Sequence, residues 1–238
     1  MRRILILVLG ATATMLAGCG EFPKDTSGTL DAVRAGRPLR VGWSVAPPWV
    51  EAPGAGSSEP AGVEPELVRA FAESIGAKLE WVLAGETQLA EALQANALDI
   101  GIGGFSTDGA WAGKVGQTQA YVTMQATIGV AGSTPVPDRW KGVAVRYDRG
   151  REDIATALKQ LGAEPVPVEP GGDLKPVGAA YEPEMAALGL RSVNKKLFQK
   201  DRVIATPPAE NALVFALDRV LNERRNAIRD RMARRGAK

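Results

Sequence analysis

PELVRAFAESIGAKLEWVLAGETQLAEALQANALDIGIGG, residues 65–104, decides the fold. Leu67, Val68, Phe71 and Ile75 fall at helical spacing, and Gly76 stands at the C′ position that closes such a helix. Lys78–Leu83 then reads as a strand, Thr87–Ala95 as a second helix, and Leu98–Ile102 as a strand running into Gly103-Gly104. Upstream, Leu39–Trp43 is a further strand, ended by Ala46-Pro47-Pro48-Trp49, whose paired prolines cannot continue a ladder. The order β-α-β-α-β is that of a parallel sheet with helices on its faces.

Downstream, Tyr121–Ala131 is a long β-branched run and Val143–Arg146 a short strand. Arg151–Leu161 is a helix closed by Gly162, and Glu164–Val168 and Val177–Tyr181 are strands. Arg202–Thr206 is a late strand, and Ala209–Arg234 a helix carrying Leu213, Leu217, Val220 and Leu221. The chain thus divides into an α/β lobe over residues 29–131, a smaller one over 132–200, and a return strand with a basic helix over 201–238. Two such lobes predict a cleft that closes on a ligand by hinge motion.

The 238 residues are 45% hydrophobic and 24% charged with a net charge of +2, values of a globular chain rather than a disordered or multi-span membrane one. Histidine is absent and Cys19 is the single cysteine. This excludes Ser-His-Asp and Cys-His triads, His-ligated zinc and Cys-rich metal cages, and no metal or cofactor is expected. Met1-Arg2-Arg3, the apolar run Ile4–Leu9 and the small residues Ala11–Ala17 have the pattern of a secretory signal. Leu16-Ala17-Gly18-Cys19 resembles the bacterial lipobox, which implies removal of residues 1–18, lipid on Cys19 and a tether over 19–28. Gly20 at the next position resembles lipoproteins sent on to an outer membrane. Loss of Arg2 and Arg3 brings the net charge to zero. The basic residues from Arg219 to Lys238 read as a solvated helix face or as a neighbour of anionic lipid. An exported chain without a basic body is not a nucleic-acid binder.

The mature chain resembles the extracellular solute-binding proteins of ABC importers, specifically the amino-acid-type family 3 with the type II periplasmic binding fold. Thr29-Leu30-Asp31-Ala32-Val33, Gly36 and Leu39-Arg40-Val41-Gly42 are similar to its opening helix and first strand, and Pro47-Pro48-Trp49 to its proline-aromatic motif. Gly62-Val63-Glu64-Pro65-Glu66-Leu67 matches a glycine followed by alternating acids, and Leu93–Ile100 its helix-to-strand turn. Ser106-Thr107, then Ala120-Tyr121, stand where the family has its ligand loop and a strand entry. The resemblance implies an α/β fold of two lobes and a monomeric receptor for a small solute, working with an ABC permease in the periplasm.

Gly103-Gly104-Phe105-Ser106-Thr107 follows the carboxyl end of a parallel strand, where open α/β sheets bind ligands. Its glycines let backbone N–H groups approach an anion, and the hydroxyls add donors. Trp43, Ser44 and Trp49 lie at the end of the first strand, the tryptophans as an aromatic wall or as core. Glu64 and Glu66 are first-turn helix acids with a second reading as ligand contacts. Two departures from the family stand out. Its arginine for an α-carboxylate is replaced by Ala110 or Trp111, which favours an amine or other cation and leaves Arg146 or Arg149 as substitutes. Gly150-Arg151-Glu152 replaces the usual glycine and hydroxyl pair. Eight residues, Glu169 to Pro176, are also too few for the helix that the family inserts there, so the second lobe reads as reduced. Tyr181 and Glu182 close the last strand, with Glu182 placed for a cationic group. The leading expectation is a lipid-anchored solute receptor. A non-transport accessory or sensory lipoprotein is the alternative, and a dehydratase on the same fold a third reading.

Overall fold

The computed structural model describes residues 25–235, and for residues 231–235 the backbone only. The signal, Cys19 and most of the tether lie outside the described residues. Two five-stranded sheets form the frame. In the first, β1 (Leu39–Trp43) lies between β2 (Leu79–Leu83) and β3 (Ile100–Ile102), parallel to both. The helices α1 (Thr29–Arg34), α2 (Val63–Ile75) and α3 (Glu86–Gln94) belong to this unit. The order is completed antiparallel to β3 by β10 (Ala205–Thr206), which pairs in turn with β4 (Gly116–Gln117).

The second sheet runs β7-β6-β8-β5-β9. Its parallel half is β6 (Ala144–Asp148) between β7 (Glu164–Val168) and β8 (Val177–Tyr181), with α4 (Glu152–Gln160) as the crossover. Its antiparallel half is β5 (Val122–Ala131) between β8 and β9 (Leu190–Arg202). Both sheets are therefore mixed, not wholly parallel. Two expected boundaries also move. Residues 122–131 pair with Tyr181 to Val177 and with β9, so β5 belongs to the second unit rather than ending the first. The late strand over 202–206 breaks in two, with Arg202 ending β9 in one sheet and Ala205-Thr206 entering the other. The chain crosses between units at 118–121 and 203–204, where Tyr121 N–H donates to the Arg202 carbonyl at 3.0 Å and Thr118 N–H to that of Ile204 at 3.1 Å.

β7 and β8 flank β6 with no helix between them, joined by residues 169–176. Eight extended residues reach roughly 27 Å, enough to return along a five-residue strand of about 17 Å without one. The main core is continuous from Phe71 and Ile100 through Tyr121 and Met124 to Ile154, and α5 (Asn211–Arg235) adds Leu213, Leu217, Val220 and Leu221.

Asp99 pins the first sheet from below. Its carboxylate is 1% exposed and accepts from Arg37 at 2.8 Å, from Arg40 at 2.7 Å and from the Arg40 N–H at 2.9 Å. Burial alone pushes this carboxyl up, but the hydrogen bonds of Arg40 and Arg37 and the charge of Arg40 outweigh it and hold it below its ordinary 3.8. A depressed carboxyl contributes stability above its unfolded value and loses it as pH falls through the folded one. Asp99→Asn is thus expected to lower the unfolding free energy, measured in urea at pH 7, by about 1.5–3 kcal/mol. The difference from the parent chain should shrink below pH 3.8.

Candidate functional site

Gly62 sets the geometry at the start of α2. Its φ is +114°, and a Cβ there would lie 2.5 Å from the Trp49 carbonyl oxygen, so only glycine fits. The next turn buries Glu64 completely. Its Oε2 accepts from Gly103 N–H at 2.8 Å and Gly104 N–H at 3.1 Å, and its Oε1 from the Tyr121 hydroxyl at 2.6 Å. The loop amides expected to meet an anionic ligand are therefore taken by the chain's own carboxyl. Burial, the largest influence, pushes Glu64 above its ordinary 4.5, against the hydrogen bonds of Tyr121 and the glycines and the charge of Arg202. Tyr121 is pushed well up by burial and by Glu64.

The tryptophans behave as core. Trp43 is 4% and Trp49 2% exposed. Trp49 meets Tyr121 edge-on at 6.0 Å and carries the Arg202 guanidinium 5.1 Å over its ring. Ser44 packs so closely on Gly103 that a Cβ there would lie 2.0 Å from its Oγ. Arg202 also donates to the Gly104 carbonyl. Ser106 and Trp111 line a cavity of about 270 Å³ with Gly104, Lys200 and Arg202, while Thr107 is exposed.

A larger cleft of about 360 Å³ lies between Pro47-Pro48 of the first unit and the β6–α4 turn, the β7–β8 loop and the end of β8 in the second. Asp148, Glu169, Arg151 and Glu184 supply its charges, and Val168, Leu174 and Leu188 an apolar wall. Arg151 and Glu184 form a two-pronged pair at 2.5 and 2.8 Å, with Arg151 also 4.9 Å over the Tyr181 ring. Burial works against the Arg151 charge, but Glu184 more than restores it. The cleft acid from this strand end is thus Glu184, 3% exposed, and not Glu182, which is exposed. The 3-10 turn Glu182–Glu184 turns the first acid outward and the third inward. Arg146 donates to the Asp173 carbonyl at 3.3 Å and steadies the β7–β8 loop, and Arg149 pairs with Glu169 at 2.9 Å on the surface. Tyr181 reaches Asp153 at 3.3 Å. Arg151, Glu184, Lys200 and Arg202 line these two cavities, and the sequence reading named none of them as a candidate contact. The signal for Arg151 was its place at the start of α4, read there only as a departure.

The model of the bacterial extracellular solute-binding proteins, family 3, matches residues 39–230, and the chain belongs to that family. No individually curated protein matches. Among solved structures, an ancestral cationic amino acid solute-binding protein is 19% identical, with 88% of this chain and 100% of that one covered and a TM-score of 0.67. The L-cystine solute receptor of Neisseria gonorrhoeae, in its unliganded open conformation, is 15% identical over 87% and 94% with a TM-score of 0.62. A histidine kinase sensor domain similar to periplasmic binding proteins is 19% identical over 84% and 95% with a TM-score of 0.51. The fold is the type II periplasmic binding fold, and the family is one of exported solute-binding proteins.

Proposed function

We propose that this protein is a periplasmic receptor, monomeric and anchored through lipid on Cys19, that captures a small amine-bearing solute and delivers it to an ABC importer. The observation that carries this reading is the cleft of about 360 Å³, bounded by both units, in which Arg151 and Glu184 offset each other, Glu169 is offset by Arg149, and Asp148 is left as the carboxylate outside these ion pairs. A carboxylate outside those pairs favours a cation, and the wall of Val168, Leu174 and Leu188 suits a short apolar body. A ligand touching both units binds the closed state more tightly than the open one and shifts the population toward it. The short β7–β8 connection fits a second lobe reduced relative to the family.

In a thermal-shift screen of the chain from Gly20 onward, a matching polyamine, quaternary amine or amino acid at about 100 times its dissociation constant is expected to add about 2.7 kcal/mol. That corresponds to roughly 5–10 °C for a domain of this size. Asp148→Asn should weaken the response about tenfold. Silence to every amine overturns the reading.

An accessory or sensory role without transport is a second reading, favoured by the occupation of the Gly103 and Gly104 amides by Glu64. A permease gene beside this one supports the first reading, and a sensor kinase or respiratory operon the second. A dehydratase is disfavoured because Glu64, the buried carboxyl with a raised pKa, lines neither cavity.

A further inference from the structure

We propose that the groove between α1 and α5 is the face on which this protein rests against an anionic membrane surface, an inference that builds on the lipid anchor at Cys19 proposed above. Leu30, Ala212, Phe215 and Ala216 line a depression of about 230 Å³ together with Arg34 and Arg219, and no acid is among its lining residues. Phe215 is 66% exposed, more than any other large hydrophobic side chain among the described residues. Both arginines are exposed, and among the described residues neither takes part in an ion pair. An outward ring beside two free cations is the composition of a membrane contact. The ring enters the headgroup region and the guanidinium groups meet lipid phosphates. On α5 the exposed stripe continues from Phe215 through Arg219, Asn222, Asn226 and Arg229, with Glu223 and Asp230 at its edge.

The position of the tether says what this face meets. Asp25 bridges to Glu210, and its carboxylate accepts from Leu30 N–H at 2.8 Å and Leu213 N–H at 2.9 Å. Glu210 is 1% exposed and accepts from Ser27 N–H at 2.7 Å and Thr29 N–H at 3.2 Å. Both acids at this end of α5 are thus spent inside the fold, and they fix the chain at the junction of the two helices. Cys19 lies six residues upstream of Asp25. Six residues reach at most about 20–22 Å, so a lipid on Cys19 holds this junction within that distance of the bilayer. The occupant of the groove is the anionic phospholipid surface itself.

The test couples the single cysteine of the chain from Cys19 onward to a maleimide lipid, in vesicles of phosphatidylglycerol and brominated phosphatidylcholine. Tryptophan quenching is read in Phe215→Trp against the parent chain. Val136→Trp, an exposed position beyond the far end of β5, is the reference. A ring seated about 5–10 Å into the headgroup boundary is within reach of the bromines, so the added tryptophan at 215 should be quenched about twofold or more and that at 136 unaffected. Arg34→Gln and Arg219→Gln, each added to the 215 reporter, should lower the docked-to-free ratio about fivefold. Exchange of phosphatidylglycerol for phosphatidylcholine should release the face. Equal quenching at 215 and 136 overturns the proposal, as does quenching at 215 that survives loss of both arginines and of the anionic lipid. A blue shift of the 215 emission that grows with protein concentration in the absence of vesicles assigns the groove to a second copy of the chain and overturns it too. The coupling is chemical, so none of these outcomes depends on whether a cell lipidates Cys19. The mass of the N-terminal peptide of the expressed protein tests that separately.

Discussion

Replacing Glu64 by alanine is expected to lower the unfolding free energy by about 3–4 kcal/mol, because it removes the acceptor of three buried donors at once. Gly103 N–H, Gly104 N–H and the Tyr121 hydroxyl all end on this carboxyl, at a position with no exposure. The melting temperature should fall by roughly 6–16 °C. Glu64→Gln keeps an acceptor for the glycines and a partner for Tyr121, and its loss should be well under half as large. The pair also gives a pH signature. The folded carboxyl titrates above its ordinary 4.5, so the folded state holds a proton that the unfolded chain releases. Its contribution is complete below the unfolded value and declines as pH rises through the folded one. Wild type should therefore lose ground to Glu64→Gln as pH is raised above 4.5. A stability difference independent of pH between 4 and 8 would refute this account of Glu64.

Glu184→Ala should cost about 3–5 kcal/mol, since it leaves the Arg151 guanidinium buried without its carboxylate. The Arg151 side chain is only 19% exposed, and Glu184 also accepts from the Tyr181 N–H at 3.3 Å. Burying an ion pair is itself expensive, so exchanging both partners for apolar groups should recover most of the loss. The double variant Arg151→Met with Glu184→Leu is expected to unfold in urea within about 1–2 kcal/mol of the parent chain, with an unchanged slope. Its response to amines should vanish, because both charges line the cleft. Additive losses in the double variant would mean that the two side chains act independently.

Local periodicity was enough for parts of both units. Leu67, Val68 and Phe71 on α2 are buried as their spacing implies, and β7 and β8 begin and end where their composition places them. Leu213, Leu217, Val220 and Leu221 likewise face the core from α5. The longest strand of the second unit was not legible. β9 is rich in lysine and arginine and half exposed along most of its length, so it carries no apolar alternation. It is held by its ladder to β5, whose partners lie 59 to 80 residues away in sequence, and that pairing moves β5 into the second sheet.

The site divides in the same way. Pro47-Pro48, read in the sequence only as a strand-ending motif, borders the larger cleft; Ser106, a candidate from the loop after a strand, and Trp111, a candidate from its place at the family's arginine position, border the smaller. Sequence alone determined that the chain folds as paired α/β units and lacks the residues for His- or Cys-based chemistry, because both follow from periodicity and composition. Tertiary structure alone decided which charges meet. Glu64 and the Gly103 amide are 39 residues apart, Arg151 and Glu184 33, Arg202 and Gly104 98. A charge at its own position carries no record of its partner, and the partner decides whether it binds a ligand or holds the fold together.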